Sequence, residues 1–153
     1  MSVNLSLDLP SHIALVHEWF TPRSMGGAEN VVQVIDDLLT DIASQPQLFS
    51  LVNEENLLRS NWLFDRKVST SFIQKLPFGI SHVQKYLPLL PFAIEQLDLE
   101  GYPLVISSSH LVAKGILTSP DQLHISYVHT PVRYAWDQMN IYLKRSLLRK
   151  IGL

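Results

Sequence analysis

Four short apolar runs constrain this chain most: Ile13–Val16, Leu48–Val52, Leu104–Ile106 and Leu123–Val128. Each is mostly apolar rather than strictly alternating, the pattern of a strand covered on both faces, as in a parallel sheet. Val68–Phe72 is a less apolar run of the same kind. Between the first two runs, Ala28, Val31, Val32, Ile35, Leu38, Leu39 and Ile42 recur at helical spacing. Strand, helix and strand in that order predict a right-handed βαβ unit. Ser81–Leu97 also has helical spacing, which Pro88 and Pro91 divide into two pieces. A short helix is predicted after Ser109, and another after Pro131, where Pro suits a helix start. Together these elements predict an α/β domain with a doubly wound, Rossmann-like parallel sheet.

At 153 residues the chain fits one domain and can bury a real core. It has no Cys, which excludes disulfides, thiolate metal sites and Cys nucleophiles. Its net charge of −2 gives no reason to expect a nucleic-acid partner. The charge is uneven: Arg133–Leu153 holds five basic residues against the single acid Asp137. There Lys144, Arg145, Arg149 and Lys150 interleave with Ile141, Leu143, Leu147, Leu148 and Ile151. This pattern suits either peripheral contact with an anionic membrane or packing on a further domain. The most apolar stretch, Tyr86–Ile94, is too short to span a bilayer and carries two prolines. The first residues lack the basic start and apolar core of a signal peptide. The expectation is a cytoplasmic protein, with peripheral contact at the inner membrane face as the variant the basic end suggests.

In a doubly wound sheet, ligands bind outside the carboxyl ends of the strands. Three runs end in polar residues suited to a site. One ends at His17-Glu18 and leads to Gly26-Gly27-Ala28-Glu29; one ends at Ser107-Ser108-Ser109-His110; one ends at His129, followed by Arg133, Tyr134 and Trp136. All three are expected along one edge of the domain. Gly26 and Gly27 precede the helix, where bare backbone lets a phosphate approach free N–H groups. A plain strand-to-helix turn uses glycine equally well, and Glu29 in the first turn already complements the helix dipole. Neither a dinucleotide fingerprint nor a phosphate-loop motif is present. Ser107–Ser109 beside His110 lack the elbow that would make a serine nucleophile, and a polar strand end capping the next helix explains them better. The histidines show no metal-ligand spacing, so no metal is expected. His12, His82 and His124 have no supporting neighbours in sequence. His129 and Arg133 lie where they could hold a phosphate or carboxylate, and a buried structural role suits His129 as well.

The strings HEWFTPRSMGGAENVV, LPFAIEQLDLEGYPLVISSSHLVAKGI and LHISYVHTPVRYAWD resemble family 4 glycosyltransferases, in a subgroup acting in bacterial polysaccharide assembly. The resemblance covers nearly the whole chain. It implies the N-terminal half of a GT-B fold, in which two Rossmann-like domains face each other across a cleft. It further implies transfer of a sugar from a nucleotide-sugar donor with retention of configuration, and no metal or other cofactor. The donor in this subgroup is often GDP-mannose, and the acceptor a saccharide or lipid-linked saccharide. By the same resemblance Gly26 and Gly27 face the donor diphosphate and His129 contacts the donor sugar as the catalytic histidine. Glu29, Ser109, His110, Arg133 and Tyr134 follow as substrate-binding candidates. Residues 1–153 are then expected to be the acceptor-side domain, with a donor-binding C-terminal domain as the missing partner. Two other readings stand beside this one: a non-catalytic Rossmann-like module that pairs with another chain, and an unrelated nucleotide-binding or hydrolytic α/β enzyme.

Overall fold

A computed structural model describes residues 8–21, 26–54 and 61–129. Their strands are β1 (Ile13–Phe20), β2 (Gln47–Asn53), β3 (Val68–Thr70), β4 (Leu104–Ser109) and β5 (Leu123–Val128). They form one all-parallel sheet in the order β3-β2-β1-β4-β5. Helix α1 (Gly27–Ile42) connects β1 to β2, and α2 (Leu90–Glu95) precedes β4. The architecture is the Rossmann-like, doubly wound α/β fold that the apolar runs predict.

The strand period of two divides the core between two faces. Ala14, Val16, Phe49, Leu51 and Val105 pack on Ile73, Leu90, Ala93, Ile94 and Ala113. Ile13, Leu15, Leu48, Leu104 and Ile106 pack on Val32 and Leu39 of α1. Both faces of β1 are therefore covered, and all eight of its residues are buried. Each such aliphatic side chain contributes about 1.5–3 kcal/mol through its removal from water. On the same buried face of α1 as Val32 and Leu39, the Asp36 carboxylate accepts both guanidinium arms of Arg66, whose Nη2 also donates to the Pro46 carbonyl.

The structure corrects several boundaries. β1 runs past Val16 to Phe20, because His17 and Glu18 find polar partners inside the fold and need not end the strand. β3 stops at Thr70 rather than Phe72. Ser71 Oγ accepts from the Ile73 N–H at 3.2 Å and starts a 3₁₀ turn, Phe72–Lys75. The Ser81–Leu97 pattern is a 3₁₀ segment, Val83–Leu89, followed by α2. Pro88 lies within the 3₁₀ segment, whereas Pro91 opens α2, where a missing N–H is harmless. The short helix predicted after Ser109 is a single 3₁₀ turn, Ala113–Gly115. β5 is the end strand of the described sheet, with Leu123, Ile125, Tyr127 and Val128 exposed. Its apolar run predicts a strand covered on both faces, which these exposed side chains contradict among the described residues. The helix expected after Pro131 and the basic end lie outside the described residues. No described helix is long and apolar enough to cross a membrane.

Candidate functional site

The strand order reverses between β1 and β4, and the crevice beyond their carboxyl ends is where a doubly wound sheet binds ligands. Register pairs His17 of β1 with Ser108 of β4, and Ser109 with Val128 of β5. All three polar strand ends therefore meet on one edge. Glycines 26 and 27 lie at the start of α1, on the loop that leaves β1.

Glu18 is the centre of this edge. It is fully buried, and its Oε1 accepts four hydrogen bonds: Ser109 Oγ at 2.9 Å, and the backbone N–H groups of His110, Leu111 and Ala113 at 3.1, 2.8 and 3.0 Å. Its Oε2 lies 3.0 Å from His110 Nδ1 and 3.7 Å from His17 Nδ1. Burial opposes the charge on Glu18. The His110 contact, the histidine charges and the Ala113 N–H together outweigh burial and hold the carboxyl well below its ordinary range. For His110, burial alone would favour the neutral ring, but the Glu18 carboxylate prevails and the imidazole's pKa is raised.

His17 is also fully buried. Its Nδ1–H donates to the Ser108 carbonyl at 2.9 Å. Its Nε2 lies 3.9 Å from Glu29 Oε1 and has no hydrogen-bond partner among the described residues. Glu29 in turn accepts from the Gly26 N–H through Oε2 at 2.8 Å, closing the first turn of α1. Burial again opposes the charge on Glu29. The His17 contact and the backbone N–H groups overcome that effect and lower its pKa.

His129 lies just past β5. Its N–H donates to the Ser109 carbonyl at 3.0 Å, and its Nε2 lies 2.7 Å from Ser108 Oγ. Burial, followed by the charges of His17 and His110, lowers its pKa. The lowered pKa favours a neutral ring, and the Ser108 hydroxyl, which can donate or accept, orients it.

The residues singled out in the sequence fare differently. Gly26, Gly27, Glu29, His110 and His129 gather around one edge. The Gly26 N–H is committed to Glu29, so the free donors of the loop begin at Gly27. A Cβ added at Gly27 would meet nothing within 4 Å, so the protein's own packing does not require glycine there. Ser109 is completely buried with its hydroxyl on Glu18, which makes it part of the wall behind the site. Ser108 is equally buried, so its hydroxyl orients His129 and is closed to an incoming electrophile. His124, expected to lack supporting neighbours, has Ser107 Oγ 2.8 Å from its Nε2. Arg133, Tyr134 and Trp136 lie outside the described residues. His17 and Glu18 carry more of the site than their sequence suggests. The available signal was a polar pair at the end of an otherwise apolar strand.

His17, Glu18 and His110 bring three ligand-type atoms within 4.8 Å of one another. Sequence spacing hides this trio, because 92 positions separate Glu18 from His110. A proton shared across the 3.0 Å His110–Glu18 ion pair fits the trio, while His17 Nε2, Glu18 Oε2 and His110 Nδ1 make no hydrogen bond among the described residues. His17 Nδ1–H faces the Ser108 carbonyl, Glu18 Oε1 is saturated with donors, and His110 Nδ1 already occupies the approach to Oε2.

A cleft of about 560 Å³ opens beside the site, lined by Trp19, Thr21, Glu54, Gln74, Phe78 and Lys85 among others. The Trp19 ring packs edge-on against His110 with centroids 4.9 Å apart, so cleft and histidine share a wall. No family model, curated protein or solved structure matches this chain.

Proposed function

We propose that this chain is the acceptor-side domain of a retaining glycosyltransferase of the GT-B type. It would act with a donor-binding domain to move a sugar from a nucleotide-sugar donor to a saccharide or lipid-linked saccharide. GDP-mannose is the first donor to test. The observation that carries this reading is the convergence of Gly27, Glu29, His110 and His129 at the β1/β4 switch point, with Gly27 open where internal packing does not call for glycine.

Transfer breaks the bond between the anomeric carbon and the diphosphate oxygen and forms a bond from that carbon to the acceptor oxygen. Negative charge grows on the leaving diphosphate. Backbone N–H groups from Gly27 onward, at the positive end of α1, are suited to meet that charge as it develops. His129, neutral and oriented by Ser108, is suited to hold a sugar hydroxyl. The Trp19-lined cleft offers an aromatic and polar wall for the acceptor. The reaction belongs in the cytoplasm, where nucleotide sugars are made, with a lipid-linked acceptor at the inner membrane face.

The test is sugar transfer by the protein encoded by the complete reading frame, offered a panel of nucleotide sugars, with the anomeric configuration of the product read by NMR. Transfer with retention is expected. Absence of both transfer and saturable nucleotide-sugar binding overturns the reading. A second reading, a non-catalytic module pairing with another chain, draws on the exposed apolar side chains of β5. It predicts a stable hetero-complex without transfer.

A further inference from the structure

We propose that Glu18 is a positioning residue that fixes His110 as a hydrogen-bond-donating cation for a phosphoryl oxygen at the mouth of the site. This rests on the proposed function for its biological ligand, but its chemistry stands on this chain alone. Oε1 of Glu18 gathers three backbone donors of the turn after β4, from His110, Leu111 and Ala113, and the Ser109 hydroxyl. The backbone that carries His110 is thereby tied to β1. Oε2 then faces His110 Nδ1 at 3.0 Å.

One carboxylate therefore ties down the backbone that carries the residue and faces its ring at ion-pair distance. Nδ1 is buried, whereas the His110 side chain as a whole is 29% exposed. The exposure falls on the rest of the ring, and Nε2 has no partner among the described residues. A ring protonated at Nδ1 against Glu18 and reaching solvent through its other atoms can act as a charge-assisted donor whose counter-charge is locked behind it. Both nearby carboxylates are buried: Glu18 Oε1 is saturated with donors, and Glu29 is held by the Gly26 N–H. The outward charge is thus positive, and it shares the edge with the N-terminus of α1. An oxyanion bridging the two fits better than a neutral hydroxyl.

The charged and titratable groups facing His110 are Glu18 and His17 from β1, Glu29 from α1, Lys114 from the turn after β4, and His129 after β5. Glu18 and Glu29 favour the imidazolium and Lys114 opposes it. The short Glu18 contact decides the balance.

The experiment is an imidazole-detected NMR titration of the 153-residue chain, with inorganic pyrophosphate as the probe. The His110 ring is expected to be protonated at pH 7 and to shift on adding pyrophosphate. His110→Gln should weaken pyrophosphate binding at least tenfold. Glu18→Gln should lower the His110 titration midpoint and weaken binding by a similar factor. If Glu18→Gln does not fold, the wild-type titration and His110→Gln still decide. A neutral His110 at pH 7, an unshifted ring at saturating pyrophosphate, or unweakened binding in His110→Gln overturns the proposal. So does saturable Zn²⁺ binding that depends on His110, since the trio would then be a metal site. Pyrophosphate binding without sugar transfer by the complete protein would sink the glycosyltransferase reading alone. Transfer with a neutral His110 would sink only this inference.

Discussion

Ser108 Oγ lies 2.7 Å from His129 Nε2, so a buried residue of β4 determines how the histidine beyond β5 presents itself. The same residue's carbonyl holds His17. Two imidazoles from two other strands are thus oriented through one position of β4.

If His129 contacts the donor sugar, His129→Ala in the complete enzyme should lower turnover by about 10²-fold, the scale for losing one well-placed polar group. Ser108→Ala should act through orientation alone. One net hydrogen bond is worth about 1 kcal/mol, so a drop of roughly fivefold is expected. Steady-state kinetics with both variants, checked for folding by circular dichroism, tests the pair. Full turnover in His129→Ala makes His129 structural.

Gly27→Ala and Gly79→Ala should behave in opposite ways. The first adds a methyl group that meets nothing within 4 Å. It should leave stability unchanged or raise it by about 0.5–1 kcal/mol through better helix propensity, while weakening nucleotide-sugar binding in the complete enzyme. The second would place a Cβ 1.9 Å from the Ile73 carbonyl oxygen and should destabilise by about 2–3 kcal/mol. Thermal melts and binding titrations on both variants check this. Unaltered ligand affinity in Gly27→Ala would remove the diphosphate from that loop.

Stability should fall on both the acid and the alkaline side of a window near pH 5–6.5. Glu18 and Glu29 have lowered pKa values in the folded state, from an ordinary value of 4.5. Their contribution is complete above that value and is lost as pH falls through the folded pKa. His110 has a raised pKa, from 6.5, so its contribution is complete below 6.5 and is lost as pH rises through the folded pKa. Melting temperature measured from pH 3 to 9 should show both limbs. Glu18→Gln should flatten both, because it removes the carboxylate and the partner of His110. An unchanged profile in a folded Glu18→Gln protein contradicts the coupling.

Arg66→Met should destabilise the domain by about 3 kcal/mol, because it leaves the Asp36 carboxylate buried without its partner. Asp36→Leu combined with Arg66→Met should recover most of that loss, since no buried charge remains. Urea unfolding of the two variants measures the difference. Equal stability of the single and double variants would mean that water reaches Asp36.

The apolar runs determined the parallel sheet by themselves, because a strand buried on both faces has little freedom to be anything else. The α1 periodicity was equally legible: Val32 and Leu39 meet the sheet where the spacing requires. The Gly26-Gly27 start of α1 and His129 at the end of β5 could be placed on one edge from strand order alone. The end of β1 could not, because His17 and Glu18 look like loop residues until their partners are known. Those partners are Ser108, Ser109 and the His110–Ala113 backbone, all brought alongside by the crossover that sets β4 next to β1. Only the tertiary structure decided that Glu18 is an anchor, that Ser109 belongs to the wall, and that His110 faces a buried carboxylate. Each depends on burial and on contacts across about 90 residues, which no local pattern of side chains encodes.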